Sequence, residues 1–227
     1  MRSLTHGFLA LLVVAGPAAA KDIALHQRIT PGTKTMEPYD SIEYLTPTQR
    51  IVDGPYGRTV IDAKARTVTV LDKEEKSYWE VSFDSLRRQT DTLGEAREKS
   101  IDPAAGSAVT LAPTGQTETI AGHPCEQNIL QGGTPGGSVC VAKDLESPHD
   151  PDLWKDWWGL GARLGPLVKI TDALGAKRVA LRTIARVGKK NAGVTIEVTS
   201  IGEESPPAGV TAIPPDYTKA TRHSKER

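Results

Sequence analysis

The chain has no excess of either charge, few aromatic residues and only two cysteines. Its 28 basic residues balance its 28 acidic residues, so no long-range attraction to nucleic acid or anionic lipid is expected. After residue 20, no apolar run approaches the roughly 20 residues that a transmembrane helix needs. The sequence therefore predicts a protein with no nucleic-acid partner and no membrane span.

Common catalytic and cofactor motifs are also absent. There is no Gly-X-Ser-X-Gly nucleophile elbow, no His-Glu-X-X-His zinc helix, no phosphate-binding Gly-Lys-Ser/Thr loop and no dinucleotide-binding glycine pattern. His123 and Cys125 lie two residues apart, but two ligands are too few for a metal centre. For the cluster of His149, Asp150 and Asp152, helix capping is favoured over a site. We therefore expect a non-enzyme that holds neither a metal nor a cofactor.

The first 20 residues have the pattern of a secretory signal peptide. Arg2 supplies a positive charge, residues 8–15 form an uncharged apolar run, and three alanines at 18–20 offer a small-residue cleavage site. The alternative, a buried N-terminal helix, is disfavoured because a Gly-Pro pair ends the run where a cleaved signal should end. Cleavage near Ala20 removes 20 of 227 residues and leaves 207 in the periplasm or outside the cell.

The two cysteines fit a disulfide-linked β-hairpin. Residues 131–137 read Gln-Gly-Gly-Thr-Pro-Gly-Gly and lie between two strand-like runs. A turn centred on Gly132 and Gly133 would pair Cys125 directly with Cys140, within disulfide range, whereas a turn centred on Pro135 and Gly136 would shift the register and weaken that pairing. Two free thiols are the alternative, but export to an oxidising compartment favours the bond.

Alternating apolar and polar residues predict a mainly β (α+β) protein. In residues 67–71, valines alternate with threonines, as in a strand with one buried and one wet face. Helical spacing of apolar residues predicts helices over residues 83–99 and 150–164. We expect one domain over residues 21–217, a strongly curved antiparallel half-barrel sheet with both helices packed on its concave side, followed by a charged, disordered tail over residues 218–227.

The second predicted helix contains the candidate ligand-binding residues. Trp154, Trp157 and Trp158 lie within five positions, and Leu160 extends their apolar stripe. Glycines at positions 159, 161 and 165 weaken this helix by about 1 kcal/mol each relative to alanine, so it must pack against another surface. Two interpretations stay open: the helix is permanent core over its own sheet, or it is a movable lid over a hydrophobic cavity.

Several phrases of the chain resemble a family of exported bacterial proteins of unknown function. They are the small-strand phrase of residues 51–81 with its Lys-X-Tyr ending at Tyr78, the Ile-Ala-Gly-X-X-Cys-Glu phrase ending at Glu126, and the Pro-X-X-Tyr phrase ending at Tyr217. The resemblance runs from about Lys21 to Ala220. Members are similar to the Lol-type periplasmic lipoprotein carriers, so the resemblance implies an incomplete antiparallel barrel around an apolar cavity closed by helices.

Two functions follow from these observations. The first is a periplasmic binding or carrier protein for an apolar or acylated ligand, such as a lipid or an acylated protein, held by Trp154, Trp157, Trp158 and Leu160. The second is a cell-envelope interaction module with a filled core, in which a strand edge or the row of Arg178, Arg182 and Arg186 meets a partner protein. A carrier needs an empty apolar volume beneath the tryptophans, whereas the interaction module is filled there with side chains.

Overall fold

A computed structural model describes residues 21–33, 35–89, 109–132, 136–158, 160, 166–187 and 192–220. Twelve strands and three helices lie in this part of the chain. The strands are β1 (Ile23–Pro31), β2 (Tyr39–Leu45), β3 (Gln49–Asp53), β4 (Gly57–Asp62), β5 (Thr67–Asp72), β6 (Ser77–Ser82), β7 (Thr110–Ile120), β8 (His123–Gln131), β9 (Gly136–Glu146), β10 (Arg178–Val187), β11 (Ala192–Gly202) and β12 (Thr218–Lys219). The helices are α1 (described over 83–89), α2 (Pro151–Trp158) and α3 (Pro166–Leu174).

All twelve strands belong to one open, curved sheet, which confirms the mainly β prediction. Their order is β12-β6-β5-β4-β3-β2-β1-β11-β10-β9-β8-β7. Two meanders, β1 to β6 and β7 to β11, meet where β1 pairs with β11 in antiparallel register from Ala24 opposite Gly202 to Pro31 opposite Val194. Every other neighbouring pair is antiparallel too, except β12, which runs parallel to β6.

The strand β7 is longer than the sequence predicts. Two short strand signals, near residues 109–112 and 118–121, become one strand of 11 residues with a register shift between Pro113 and Thr117. Gly115 lies inside that shift with a φ of 75°, a left-handed conformation that glycine adopts at low cost. The bulge therefore carries the strand through a polar segment whose composition is typical of a turn.

The helices pack against one face of the sheet. Alternation along β4, β5 and β6 directs Ile61, Val68 and Val81 to this face, where they meet α1 and α2 in one apolar cluster. Helix α3 packs Ile170 and Leu174 against the same side of β7 to β10. We call this the helix face; that it is the concave side of the sheet stays a prediction.

The opposite face is crossed by the chain after β11. Val210 packs into an apolar cluster with Ala24, Tyr44, Ile51 and Val60, and Arg58 Nη1 donates to the Val210 carbonyl at 2.6 Å. Thr218–Lys219 then joins the sheet beside β6, so these two residues are strand rather than the start of the predicted disordered tail. Residues 221–227 of that tail lie outside the described residues, as do the signal peptide and residues 90–99 of the first predicted helix.

The predicted helix over residues 150–164 is shorter in the structure. Helix α2 ends at Trp158, directly before Gly159, Leu160 lies in a turn, and residues 161–165 are outside the described part. Helix α3 was not predicted from the sequence. Its C-terminus is capped by Gly175, with a φ of 72°, and by the Arg178 side chain, which donates to the Leu174 carbonyl at 2.6 Å.

The disulfide between Cys125 and Cys140 is present, but the predicted register is wrong. Cys125 lies opposite Ala142 and Cys140 lies opposite Gln127, so the bonded residues are diagonal neighbours with Cα atoms 5.4 Å apart. The turn is therefore centred one residue later than predicted. The two cysteines are 0% and 3% exposed, which places the bond in an apolar cluster with Leu25 and Leu181.

We expect the disulfide to be fully formed and to stabilise the fold. Thiol titration of exported protein in denaturant without reductant should find no free thiol; two reactive thiols per chain would contradict the assignment. Because the bond closes a loop of 15 residues, replacing both cysteines by alanine should lower the free energy of unfolding by about 3 kcal/mol. Urea denaturation of the double variant measures this loss.

Candidate functional site

The N-terminus of α2 is fixed to the loop between β2 and β3. Asp150 caps the helix, since its Oδ1 accepts hydrogen bonds from the backbone N–H groups of Asp152 at 2.9 Å and Leu153 at 3.4 Å. The Pro47 carbonyl accepts two more, from the Asp150 backbone N–H and from Trp154 Nε1, each at 3.0 Å. The predicted capping role of Asp150 is therefore confirmed.

Trp154 lies at the buried end of this attachment. Its side chain is 0% exposed, and its ring lies 4.0 Å from the His149 ring, centroid to centroid. Burial, helped by the positive charge of Arg50, lowers the pKa of His149 to about 3. His149 is therefore a neutral aromatic partner of Trp154 at physiological pH.

Trp157 and Leu160 complete the contact between α2 and the sheet. They are 4% and 2% exposed, and the Trp157 ring lies 5.4 Å from that of Phe83, the first residue of α1. Within the described ranges, Trp157 Nε1 is a buried donor without a hydrogen-bond acceptor. Trp158 belongs to α2, but its side chain is outside the description. The structure thus brings Trp154, Trp157 and Leu160 together, as predicted, into a cluster already filled by side chains.

The outer side of α2 is attached by ion pairs. Arg66, in the turn between β4 and β5, pairs with Asp156 of α2 and with Asp84 of α1, the latter at 2.9 Å. Arg87 lies 3.9 Å from the same Asp156 carboxylate. The hydrogen bond from Arg66 lowers the pKa of Asp156. Because these groups are about one-third to three-fifths exposed, water screens them and each pair holds α2 only weakly.

A row of polar side chains, three of them buried and two partly buried, crosses the helix face; we call it the buried polar row. It consists of Ser41, Gln27, Glu43, Arg50 and Thr171. The Ser41 hydroxyl donates to Gln27 Oε1 at 3.4 Å, and Gln27 Nε2 donates to Glu43 Oε2 at 2.7 Å. Arg50 Nε donates to Glu43 Oε1 at 2.5 Å, while its Nη1 donates to Thr171 Oγ1 of α3 at 3.1 Å. The row ties three strands to α3.

Sequence reasoning missed the buried polar row. The Glu43 carboxylate is 9% exposed, so its desolvation must be offset by the hydrogen bonds from Gln27 and Arg50. One signal was available: Gln27 has the same alternation as Ile23, Leu25 and Ile29, and therefore had to point toward the core. Periodicity did not show that Glu43 and Arg50 on the next two strands lie beside it.

In the described part of the chain, the residues that sequence analysis weighed for chemistry make structural contacts. The hydrogen bond that joins Ser147 to His149 uses the backbone N–H of His149, at 3.3 Å, so it belongs to a turn. Glu118 lies within 4.8 Å of the sulfur atoms of Cys125 and Cys140, but those sulfurs are bonded to each other and cannot act as thiolate ligands. Glu118 instead receives hydrogen bonds from Arg182 Nη1 at 2.7 and 2.8 Å.

Comparison with protein families identifies the family to which the chain belongs. Residues 42–217, well over half of the sequence, match the model described as "Domain of unknown function (DUF4412)". The chain belongs to this family, which confirms the resemblance to a family of unknown function. No curated protein matches the chain.

Solved structures that match the chain include PNGF-II, at 13% identity and a TM-score of 0.46 over 89% of this chain and 31% of that one. MucB in complex with MucA(peri) matches at 10% identity and a TM-score of 0.33, over 86% of this chain and 55% of that one. A LolA superfamily protein from Nitrosomonas europaea matches at 8% identity and a TM-score of 0.31, over 85% of this chain and 89% of that one. The chain thus spans about a third of the length of PNGF-II and about half that of MucB. In the described part of the chain, no helix has the length and apolar character needed to cross a membrane.

We expect protonation of His149 to make stability fall in acid. The unfolded chain binds this proton below about pH 6.5, whereas the folded chain binds it only near pH 3, so stability is complete above 6.5 and is lost as the pH falls toward 3. The slope is up to about 1.4 kcal/mol per pH unit. His149→Gln removes this term, so between pH 7.5 and 5.0 the wild type should lose about 2 kcal/mol more than the variant.

Urea unfolding at the two pH values measures the difference. His26→Gln is the matched control, because its imidazole is half-exposed, and it should keep the wild-type dependence. An unchanged pH dependence in His149→Gln would contradict the buried, neutral state of this histidine.

Proposed function

We propose that the chain is an exported, non-catalytic binding or carrier protein for an apolar or acylated ligand, which enters between α2 and the helix face of the sheet. The supporting observation is that α2, only eight residues long, covers a continuous apolar surface with Trp154 and Trp157. Export is supported by the signal-peptide pattern and by a disulfide, which persists in oxidising compartments.

The surface beneath α2 suits an acyl chain. Ile61, Val68, Phe83 and Leu86 are each buried there, and Val70, Trp79 and Val81 extend the patch. Each methylene group of a ligand buried on such a surface contributes about 0.8 kcal/mol. A ligand that replaces the tryptophan side chains therefore restores much of the apolar burial that is lost when α2 moves away.

The attachments of α2 also allow it to move as a unit. Its outer side is held by screened ion pairs of Asp156, and its N-terminus by two hydrogen bonds to one carbonyl, that of Pro47. At the C-terminal end, the residue after α2 is Gly159, which weakens the continuation of the helix. That end can therefore move, and the N-terminal attachment can act as the hinge. The buried polar row lies on the same helix face and offers hydrogen-bond partners for the ester or amide of an acylated ligand.

A second candidate function is a cell-envelope interaction module. The observation that favours it is the burial of Trp154 and Trp157, at 0% and 4% exposure, among the protein's own side chains, as expected of permanent core. In that case a partner protein would meet an exposed surface such as the edge strand β7, most of whose residues are exposed.

Quenching of tryptophan fluorescence by a dibrominated stearate distinguishes the two functions. The experiment uses the Trp79→Phe variant, so that the remaining mature tryptophans all lie in α2. A carrier should show saturable quenching, because bromine quenches tryptophan only at contact. Asp156→Ala loosens the outer attachment of α2 and should tighten the apparent affinity about two- to fivefold.

Asp216→Ala is the matched control, since it also removes a paired carboxylate. Asp216 lies 2.9 Å from Lys76 Nζ, and neither residue belongs to α2. This control should leave the affinity unchanged. The absence of saturable quenching in all three proteins would reject the carrier and leave the interaction module. Equal tightening by both alanine variants would show that α2 does not control access.

A further inference from the structure

Helix α2 places a carboxylate directly beside a large apolar side chain. Asp156 and Trp157 are consecutive residues, and Trp157 lies buried in the apolar cluster beneath the helix. The Asp156 side chain is 34% exposed and pairs with Arg66, so it stays in contact with water. The part of α2 that covers the sheet therefore combines an anionic group with an apolar one, as an anionic amphiphile does.

The surface that receives these two side chains has the complementary features. The Arg66 guanidinium group pairs with Asp156 and also lies over the Phe83 ring, with its central carbon 5.8 Å from the ring centroid. The Trp157 ring lies 5.4 Å from the same Phe83 ring, centroid to centroid. A cation and an apolar surface are therefore adjacent, and one ligand with a charged end can contact both.

Arg66 is held in place by contacts that do not involve α2. It lies in the turn between β4 and β5, and its carbonyl accepts a hydrogen bond from the Phe83 backbone N–H at 2.9 Å. Its guanidinium group also pairs with Asp84 of α1 at 2.9 Å. Movement of α2 therefore leaves the cation beside the apolar surface, where it is available to a ligand.

Movement of α2 also leaves this border with an excess of positive charge. Two guanidinium groups lie against Asp156, that of Arg66 and, at 3.9 Å, that of Arg87 on α1. Without Asp156, the described part of this network holds two cations and one carboxylate, Asp84. An anion in the place of Asp156 restores the balance, whereas a neutral or cationic group does not.

We propose that the ligand held beneath α2 is an anionic amphiphile, of which an ionised fatty acid is the simplest case. Its charged head binds Arg66 in the place of Asp156, and its chain enters the apolar cluster around Phe83. This inference rests on the proposed carrier function and narrows its ligand. Arg66 and Arg87 are 39% and 46% exposed, so the head stays at the edge of the protein while the chain is buried.

Three ligands with the same chain and different heads test the proposal. They are ω-bromododecanoate, ω-bromododecanol and ω-bromododecyltrimethylammonium, titrated into the mature, disulfide-bonded Trp79→Phe protein with tryptophan quenching as the readout. The pH keeps the carboxylate ionised, and each ligand stays below its aggregation concentration. The carboxylate should bind about tenfold more tightly than the alcohol, because it gains charge-assisted hydrogen bonds, and the ammonium ligand should bind most weakly.

Two variants separate the contact with the head from the mobility of α2. Arg66→Gln and Asp156→Ala both break the ion pair that holds the helix, so both ease the entry of all three chains. The ratio of the alcohol's dissociation constant to that of the carboxylate cancels this shared effect. Arg66→Gln removes the partner of the head and should lower the ratio about threefold or more, whereas Asp156→Ala removes a competing carboxylate and should raise it about twofold.

Arg28→Gln is the matched control, because Arg28 also pairs with a carboxylate, Asp40 at 2.9 Å, and this pair joins β1 to β2 without involving α1 or α2. The control should keep the wild-type ratio. If Arg66→Gln does not fold, Arg87→Gln provides the same measurement and should lower the ratio about twofold.

The outcomes distinguish this inference from the function on which it rests. Quenching by none of the three ligands would reject the carrier function and this inference with it. Saturable quenching in which the alcohol or the ammonium ligand binds as tightly as the carboxylate would keep the carrier function and overturn only the anionic ligand. An unchanged ratio in the folded arginine variant, whether Arg66→Gln or Arg87→Gln, would overturn it as well.

Discussion

The pairing of β1 with β11 is the contact on which the rest of the architecture depends. It joins the first strand to the last long strand and so unites two meanders, which are otherwise separate sheets, into one of twelve strands. The pairing also determines which side chains of β1 lie on each face of the sheet. With β1 in this register, Leu25 and Gln27 point to the helix face, while Ala24 and His26 point to the face crossed by the C-terminal segment. A register shift between His26 and Gln27 marks the point where polar residues begin on both sides.

The two faces of the sheet differ in what covers them. The helix face carries three apolar clusters, two of which include residues of the short helices, and also the buried polar row. An ion pair such as Glu43–Arg50 is costly to bury, because the attraction between the charges must offset the loss of their hydration. The other face has one apolar cluster, against which Val210 of the crossing C-terminal segment packs.

Local patterns predicted where the strands lie better than which of their faces are buried. Thr67–Asp72 is a strand as predicted, but both of its faces carry buried residues: Val68 is 5% exposed, and Thr69 and Leu71 on the other face are 9% and 3% exposed. The hairpin shows where local reasoning fails: the cysteines pair, but glycine-rich turns allow several centres, and the tertiary context selected one that sequence could not distinguish. Helix α3 was missed because residues such as Ile170 suit either a strand or a helix, and only packing against β10 decides. The buried polar row depends on register between neighbouring strands, which periodicity does not specify.

Native-state hydrogen exchange across α2 is the most direct test of the central claim, that this helix is a removable cover and not permanent core. Opening of residues 152–158 should require a free energy well below that of global unfolding, which β1 and β11 should report because their pairing holds the sheet together. Addition of an acyl ligand should then change exchange in α2 while leaving β1 and β11 unchanged. If α2 exchanges only with global unfolding, at the same free energy as β1 and β11, Trp154 and Trp157 are fixed core and the carrier account is wrong.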